Sequence, residues 1–143
     1  MASRNFTNFA RKLALGAHNF SSDTLKILLV SVVPTQANLD AWAARSDITN
    51  EVVGTGYTAG GIAQAFTLAG AVDSANHNQH ITLTNITNGW TASTFSAVAA
   101  IYYKNSGTAS TDYVIGMEDF GGTVTCTAGT FSITHSNDLL IGV

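Results

Sequence analysis

Ile62-Ala63-Gln64-Ala65-Phe66-Thr67-Leu68 and, beyond the turn cluster Asp73-Ser74-Ala75-Asn76, His80-Ile81-Thr82-Leu83-Thr84-Asn85-Ile86 are the stretches that decide the fold. In the first, Ile, Gln, Phe and Leu alternate with Ala, Ala and Thr. In the second, Ile81 and Leu83 alternate with His80, Thr82 and Thr84. A period of two places successive side chains on opposite faces, the pattern of a strand covered on one side by a core. The pattern recurs toward the C-terminus. Residues 94–103 are rich in Ala, Val and aromatics, and further β runs follow at 113–117, 123–128, 131–134 and 139–143. Turn clusters at 85–89, at Asn105-Ser106-Gly107 and at Gly121-Gly122 separate them.

Toward the N-terminus, Leu25-Lys26-Ile27-Leu28-Leu29-Val30-Ser31-Val32-Val33 is apolar on both faces and reads as a buried strand that Pro34 ends. Residues 35–45 read as a short helix, with Thr35 as N-cap and Leu39, Trp42 and Ala43 on one face. Residues 4–17 read as an amphipathic helix. Phe6, Phe9, Ala10, Leu13, Ala14 and Ala17 make its apolar stripe, Ser3 or Asn5 its cap, and Gly16 its stop. This helix either plugs one end of the domain or docks on a partner as an arm. About eight strands at spacings of roughly 8–12 residues, with no helix between the later ones, predict an all-β chain. The expected fold is a jelly-roll-like antiparallel β-sandwich with a short N-terminal helix. One domain spans residues 1–143, with the helix or arm at 1–17 and the sandwich at 24–143.

The composition narrows the function. Of 143 residues only 15 are charged, the formal net charge is −3, and Thr, Ser and Asn number 19, 12 and 11. A dense basic stripe, which nucleic-acid or anionic-membrane binding requires, is absent. The longest apolar run falls far short of the about 20 residues of a membrane span. A chain of this mass hides about two thirds of its surface, folding from about 21,000 Å² to about 7,000 Å². The lone Cys126 allows no internal disulfide, and the N-terminal sequence lacks the apolar stretch of a signal peptide. Synthesis in a reducing cytoplasm is therefore expected.

Chemistry-bearing residues are scattered. Residues 54–61, GTGYTAGG, have no Lys-Ser/Thr ending and no following helix, so they read as a structural turn instead of a phosphate loop. His77 and His80 stand three apart at the entry to a strand and so face opposite ways. Glu118 and Asp119 are adjacent, with Asp112 upstream, and such neighbours do not converge as a glycosidase pair must. Cys126, between Thr125 and Thr127, reads as a buried small hydrophobe. Trp42, Trp90, Tyr57, Tyr102, Tyr103 and Tyr113 would form a sugar platform only if exposed and coplanar. No enzymatic activity, cofactor or metal site is expected.

Several strings resemble a known family. They are FSSDTLKILLV (20–30), DITNEVVGTGYTAGG (47–61), AIYYKNSGTAST (100–111), IGMEDFG (115–121) and GTFSI (129–133). Together, in this order, they resemble small virion structural proteins of tailed bacteriophages. The resemblance implies a capsid decoration, or cement, protein that binds the outside of the phage head and stabilises contacts between major capsid protein subunits. A tail or neck component of the virion, or a sugar-binding adhesion module, is the alternative. A homo-dimer or homo-trimer is expected, without nucleic acid or membrane as partner. The expected contact residues are Phe6, Phe9 and Leu13 on the N-terminal helix and Gly54, Tyr57 and Gly60 in the glycine-rich loop.

Overall fold

The computed structural model describes residues 2–68 and 73–142; Val143, the last residue of the expected closing strand, and Met1 lie outside them. The strands are β1 (Ala2–Asn5), β2 (Leu25–Val30), β3 (Ile62–Gln64), β4 (Phe66–Leu68), β5 (Asn78–Leu83), β6 (Ile86–Lys104), β7 (Val114–Ile133) and β8 (Leu139–Gly142). The helices are α1 (Thr7–Ala14) and α2 (Gln36–Ala41), with a 3-10 turn at Arg45–Asp47. The described chain is mostly antiparallel β-sheet with a short N-terminal helix. One sheet has the order β1-β7-β6-β2-β3, the other β4-β5-β8.

β2 is apolar on both faces because both are covered. It lies between β6 and β3, antiparallel to each. Ile27 and Leu29 point into an apolar cluster with Ile81, Leu83, Trp90, Phe95, Tyr102, Phe131 and Leu139. Leu28 and Val30 point the other way, to Phe6, Leu39, Trp42, Ile101, Tyr103, Val114 and Met117. The first cluster joins the large sheet to the small one. The second lies under the α2 segment and the residue that starts α1. The accessible surface is 6957 Å², the area expected for a chain of this mass.

The expected helix over 4–17 is shorter, and its first turn is a strand. β1 pairs with the edge of β7, from Ala2 opposite Asp119 to Asn5 opposite Gly116, and the Phe6 N–H continues the ladder to the Ile115 carbonyl at 3.0 Å. Those backbone bonds to a distant strand replace the first turn of the expected helix, and α1 starts at Thr7 with neither a side-chain cap nor an acidic residue in its first turn. The end of α1 follows the expected signal. Gly16, at φ +73°, sits one residue past the cap. Its N–H bonds to the Leu13 carbonyl and that of Ala17 to the Lys12 carbonyl, a Schellman closure. At α2, Thr35 is the N-cap as expected, and Asn38 returns a hydrogen bond to the Thr35 N–H at 2.9 Å.

The second difference concerns strand length. The expected break at 85–89 narrows to 84–85, between β5 and β6, and the expected break at 121–122 does not end a strand. β6 and β7 form one long antiparallel ribbon whose register shifts five times. Ala97 faces Val124 but Ala99 faces Asp119, so residues 120–123 bulge from β7. Further shifts bracket Ala92 and Ala128, which both have positive φ, near +49° and +47°. Bulges on both strands at one level bend the ribbon into a corner. On either side of these bulges Trp90, Phe95, Phe131 and Ile133 all pack into the first core.

Between α1 and β2 the chain buries His18, 6 % exposed, with no hydrogen-bond partner on either ring nitrogen. The imidazole packs edge-on to Phe9 at 5.2 Å, stacks on Phe20 at 5.8 Å and touches Tyr113 at 6.2 Å. Burial lowers its pKa from 6.5 to about 4; Asp23 opposes this, while Lys104 and Lys12 add to it. The folded protein thus binds fewer protons here than the unfolded chain between about pH 4 and 6.5, so stability falls as pH falls through that window. The expected contribution is about 2 to 3 kcal/mol. Urea titrations at pH 7 and pH 4.5 should show it, and His18→Phe should reduce the difference between the two, the remainder coming from His135, whose pKa burial also lowers. An unchanged pH slope in that variant would rule the assignment out.

Candidate assembly interface

The six contact residues expected from the sequence mostly lie inside the fold. Phe6 and Phe9 are 1 % and 3 % exposed, and Leu13 packs, partly buried, against the first core. An apolar helical stripe shows which face is hidden, and here the domain itself hides it. Gly60 is buried and Tyr57 partly buried; only Gly54 is open to solvent.

The glycine-rich loop is a tie-down. Glu51 bridges to Val30 and the Val52 N–H bonds to the Leu29 carbonyl at 2.9 Å, so the segment first runs beside β2. It then crosses to β6, where Thr55 bridges to Thr94. At Gly54 a Cβ would lie 2.7 Å from both the Thr94 carbonyl oxygen and the Phe95 Cβ, so only glycine fits. The Tyr57 hydroxyl donates to the Glu51 carboxylate and accepts the Leu29 N–H, each at 3.0 Å, and its ring stacks on Trp90 at 5.7 Å. Burial raises the Tyr57 pKa well above the usual phenol range.

The Gly60 N–H also donates to Glu51, and the Tyr103 hydroxyl donates to the Gly60 carbonyl. Burial pushes the Tyr103 pKa up to about 12. Arg45 lies over the Tyr103 ring, 5.6 Å from its centroid, and its Nε donates to Asp112 at 2.8 Å. Burial raises the Asp112 pKa, but hydrogen bonds from Arg45 and Ser106 outweigh it and hold the carboxyl below its ordinary value. Glu51, Arg45 and Asp112 therefore staple loops to the sheet.

Most of the remaining chemistry-bearing residues are likewise occupied. His77 is exposed, whereas His80 bonds Asp138 at 3.0 Å and approaches Asp73 at 3.7 Å. Glu118 is buried and accepts the Tyr102 hydroxyl at 2.8 Å. Burial raises its pKa, and the Tyr102 bond partly offsets that. Asp119 accepts the Gly121 N–H at 2.8 Å. Cys126 is buried beneath the Ser93 hydroxyl at 3.4 Å. Among the described residues no group of three or more His, Cys, Asp or Glu is placed to hold a metal ion, and no helix is long and apolar enough to cross a membrane. Trp42, Trp90, Tyr102 and Tyr103 are buried, and Tyr113 lies partly covered with the Lys12 ammonium 4.0 Å from its ring centroid. The six aromatics form no exposed platform.

What the fold does present is the outer half of the β6–β7 ribbon. Its solvent face carries Thr87, Thr91, Thr94 and Ser96 on β6, and Thr125, Thr127, Thr130 and Ser132 on β7, all exposed. Some hydroxyls tie the ribbon together: Ser96 to Thr125 at 2.7 Å, Ser132 to the Thr87 carbonyl at 2.6 Å, and the Ala128 N–H to Thr94 at 2.9 Å. Neither 74–103 nor 120–137 contains a single Asp, Glu, Lys or Arg. An open depression of about 150 Å³ is lined by Phe120, Val124, Phe131, Ser132, Ile133 and Thr134. Val124 is 43 % exposed at its rim, and Val53, beside the other edge of the ribbon, is 94 % exposed. β1 covers β7 only at residues 116–119, and among the described residues no strand pairs with the outer edge of β7 at 124–133.

No protein-family model, curated protein or solved structure matches this chain. Its own surface must therefore carry the functional reading. Val53, Val124 and the β7 edge were missed from the sequence. The signal that marks Val124 and the β7 edge is the block without charge at 120–137, which is visible in the residues alone.

Proposed function

We propose that this chain is a non-enzymatic assembly protein, a capsid decoration protein of a tailed bacteriophage. It binds the outside of the head, bridges major capsid protein subunits and self-associates there. The observation that carries this reading is the uncharged, hydroxyl-covered outer half of the β6–β7 ribbon with its unpaired edge. Solvated monomers blunt such edges with Lys, Pro, inward charges or bulges; residues 120–137 contain no Lys, Pro or charge, and the bulges at 120–123 and beside Ala128 leave the edge between and beyond them open. The motif resemblance supplies the phage setting. The same reading takes the two sheets as the halves of a jelly-roll-like sandwich, supported by the core they share through Ile27, Ile81, Leu83 and Leu139.

Contact energetics suit the role. A standard interface buries about 800 Å² per partner, roughly a tenth of this surface. Its apolar part contributes at about 25 cal/mol per Å², before association costs. Repeated over a shell, modest contacts accumulate. The expected result is a copy number in the hundreds per particle, measured by densitometry of purified virions, with density for the chain on the head exterior in a cryo-EM map. A few copies confined to the tail or neck would replace this reading with the tail one.

A further inference from the structure

We propose that two copies of this chain pair edge to edge through residues 124–133 of β7, antiparallel, about a two-fold axis between Ala128 and Gly129. This deepens the self-association in the reading above and rests on it; the contact with the capsid is a separate surface question.

The argument begins with the open edge. Among the described residues no strand lies beside it, although at its centre the Ala128 N–H donates to Thr94 and the Gly129 carbonyl accepts from Ser93, and an edge of this kind recruits another strand. The sequence then selects the partner. Read from its centre outward, the segment is a palindrome of chemistry. Antiparallel self-pairing about that centre sets Ala128 opposite Gly129, Thr127 opposite Thr130, Cys126 opposite Phe131, Thr125 opposite Ser132 and Val124 opposite Ile133. Paired residues in a ladder share a face. Four of the five pairs match, hydroxyl with hydroxyl on the solvent side and apolar with apolar on the core side, and the fifth, Ala128 with Gly129, falls at the bulge. The structure places them so: Thr125, Thr127, Thr130 and Ser132 are exposed, whereas Cys126, Phe131 and Ile133 are buried and Val124 lines one depression with the latter two.

The corner in the ribbon fits the same axis. The bend of β7 lies at Ala128, beside the two-fold. Rotation about an axis normal to the sheet carries the bend of one copy onto the bend of the other, with the same side concave. The two smallest residues of the segment meet at this point. Charge permits the contact as well. The net charge of −3 is carried by residues outside 120–137, so self-pairing brings no like charges together at the seam. A two-fold isologous contact of this kind closes on itself and stops at a dimer.

Sedimentation equilibrium on the purified full chain, from roughly 10 µM to 1 mM, tests it. The 14.9 kDa chain should move with concentration toward about twice that mass. T125K/S132K sets lysines opposite each other at both Thr125–Ser132 pairs and should weaken dimerisation at least tenfold, with a native circular-dichroism spectrum and a cooperative melt showing that the fold is kept without the two ribbon hydrogen bonds. T125E/S132E should behave alike. A mixture of the two variants should form a one-to-one heterodimer, because each lysine then faces a glutamate. A wild-type chain that stays monomeric throughout, forms a trimer, or is unaffected by the lysines overturns the proposal. So does a mixture that fails to pair. Head copy number is read on particles, so loss of the dimer leaves the capsid reading to its own measurement.

Discussion

Gly61→Ala is expected to abolish the folded state. Gly61 has φ +70°, a backbone conformation that costs any L side chain. Space is the larger obstacle. A Cβ there would stand 1.8 Å from the Ile27 carbonyl oxygen, 2.6 Å from the Ile27 carbonyl carbon and 2.8 Å from the Leu28 Cα. All three are backbone atoms of β2, which is held between β3 and β6 and buried on both faces. They cannot step aside without opening the sheet at Ile27, where β2 pairs with both neighbours. The cost should exceed about 4 kcal/mol, against a total stability of about 5–15 kcal/mol for such a domain. The Tm should drop by more than about 10 °C or the protein should fail to accumulate in soluble form. Gly107→Ala separates strain from collision. Gly107 has φ +86° with no atom within 4 Å, so that variant should cost only about 1 to 2 kcal/mol. Equal effects at the two positions would contradict this account.

Trp90→Ala is the second large effect. Trp90 is 2 % exposed and joins three parts of the molecule. It stacks on Tyr57 of the glycine-rich loop at 5.7 Å and meets Phe95 and Phe131 of the ribbon edge-on at 6.2 Å and 6.0 Å. Truncation leaves a cavity that those rings cannot all close, and should cost about 3–5 kcal/mol in urea titration. Hydrogen exchange should lose protection first at residues 52–57, where the loop depends on the Tyr57 stack. The indole N–H has no hydrogen-bond partner, so Trp90→Phe gives up apolar contact without breaking a hydrogen bond. That variant should cost less than about 1.5 kcal/mol. A phenylalanine as damaging as alanine would show that the indole N–H makes a contact that matters.

Much of the fold was legible because the deciding signals are local. The unbroken apolar run of β2, the alternation in β5, the Thr35 cap and the Gly16 stop each concern residues that touch their sequence neighbours. The misreadings have one physical cause: their deciding partner is far along the chain. Arg4 and Asn5 fall within the expected helix, but Met117 and Gly116 pair with them as a strand. Gly121-Gly122 reads as a turn, yet the ladder with β6 resumes at Val124 and makes it a bulge. Phe6, Phe9 and Tyr57 were expected at a contact surface because apolar spacing marks a face and leaves open what covers it. Conversely, the absence of charge across 74–103 and 120–137 could be read from the residues, but only the structure shows that the two blocks lie side by side.

That absence of charge has a consequence for the conditions under which contacts persist. An association built on ion pairs strengthens or weakens as the surrounding water is diluted or salted, because the Debye length grows from about 8 Å at physiological ionic strength to about 30 Å at 0.01 M. The outer half of the β6–β7 ribbon has no Asp, Glu, Lys or Arg for that screening to act on. Contacts made through it are insulated from the ionic strength of their surroundings.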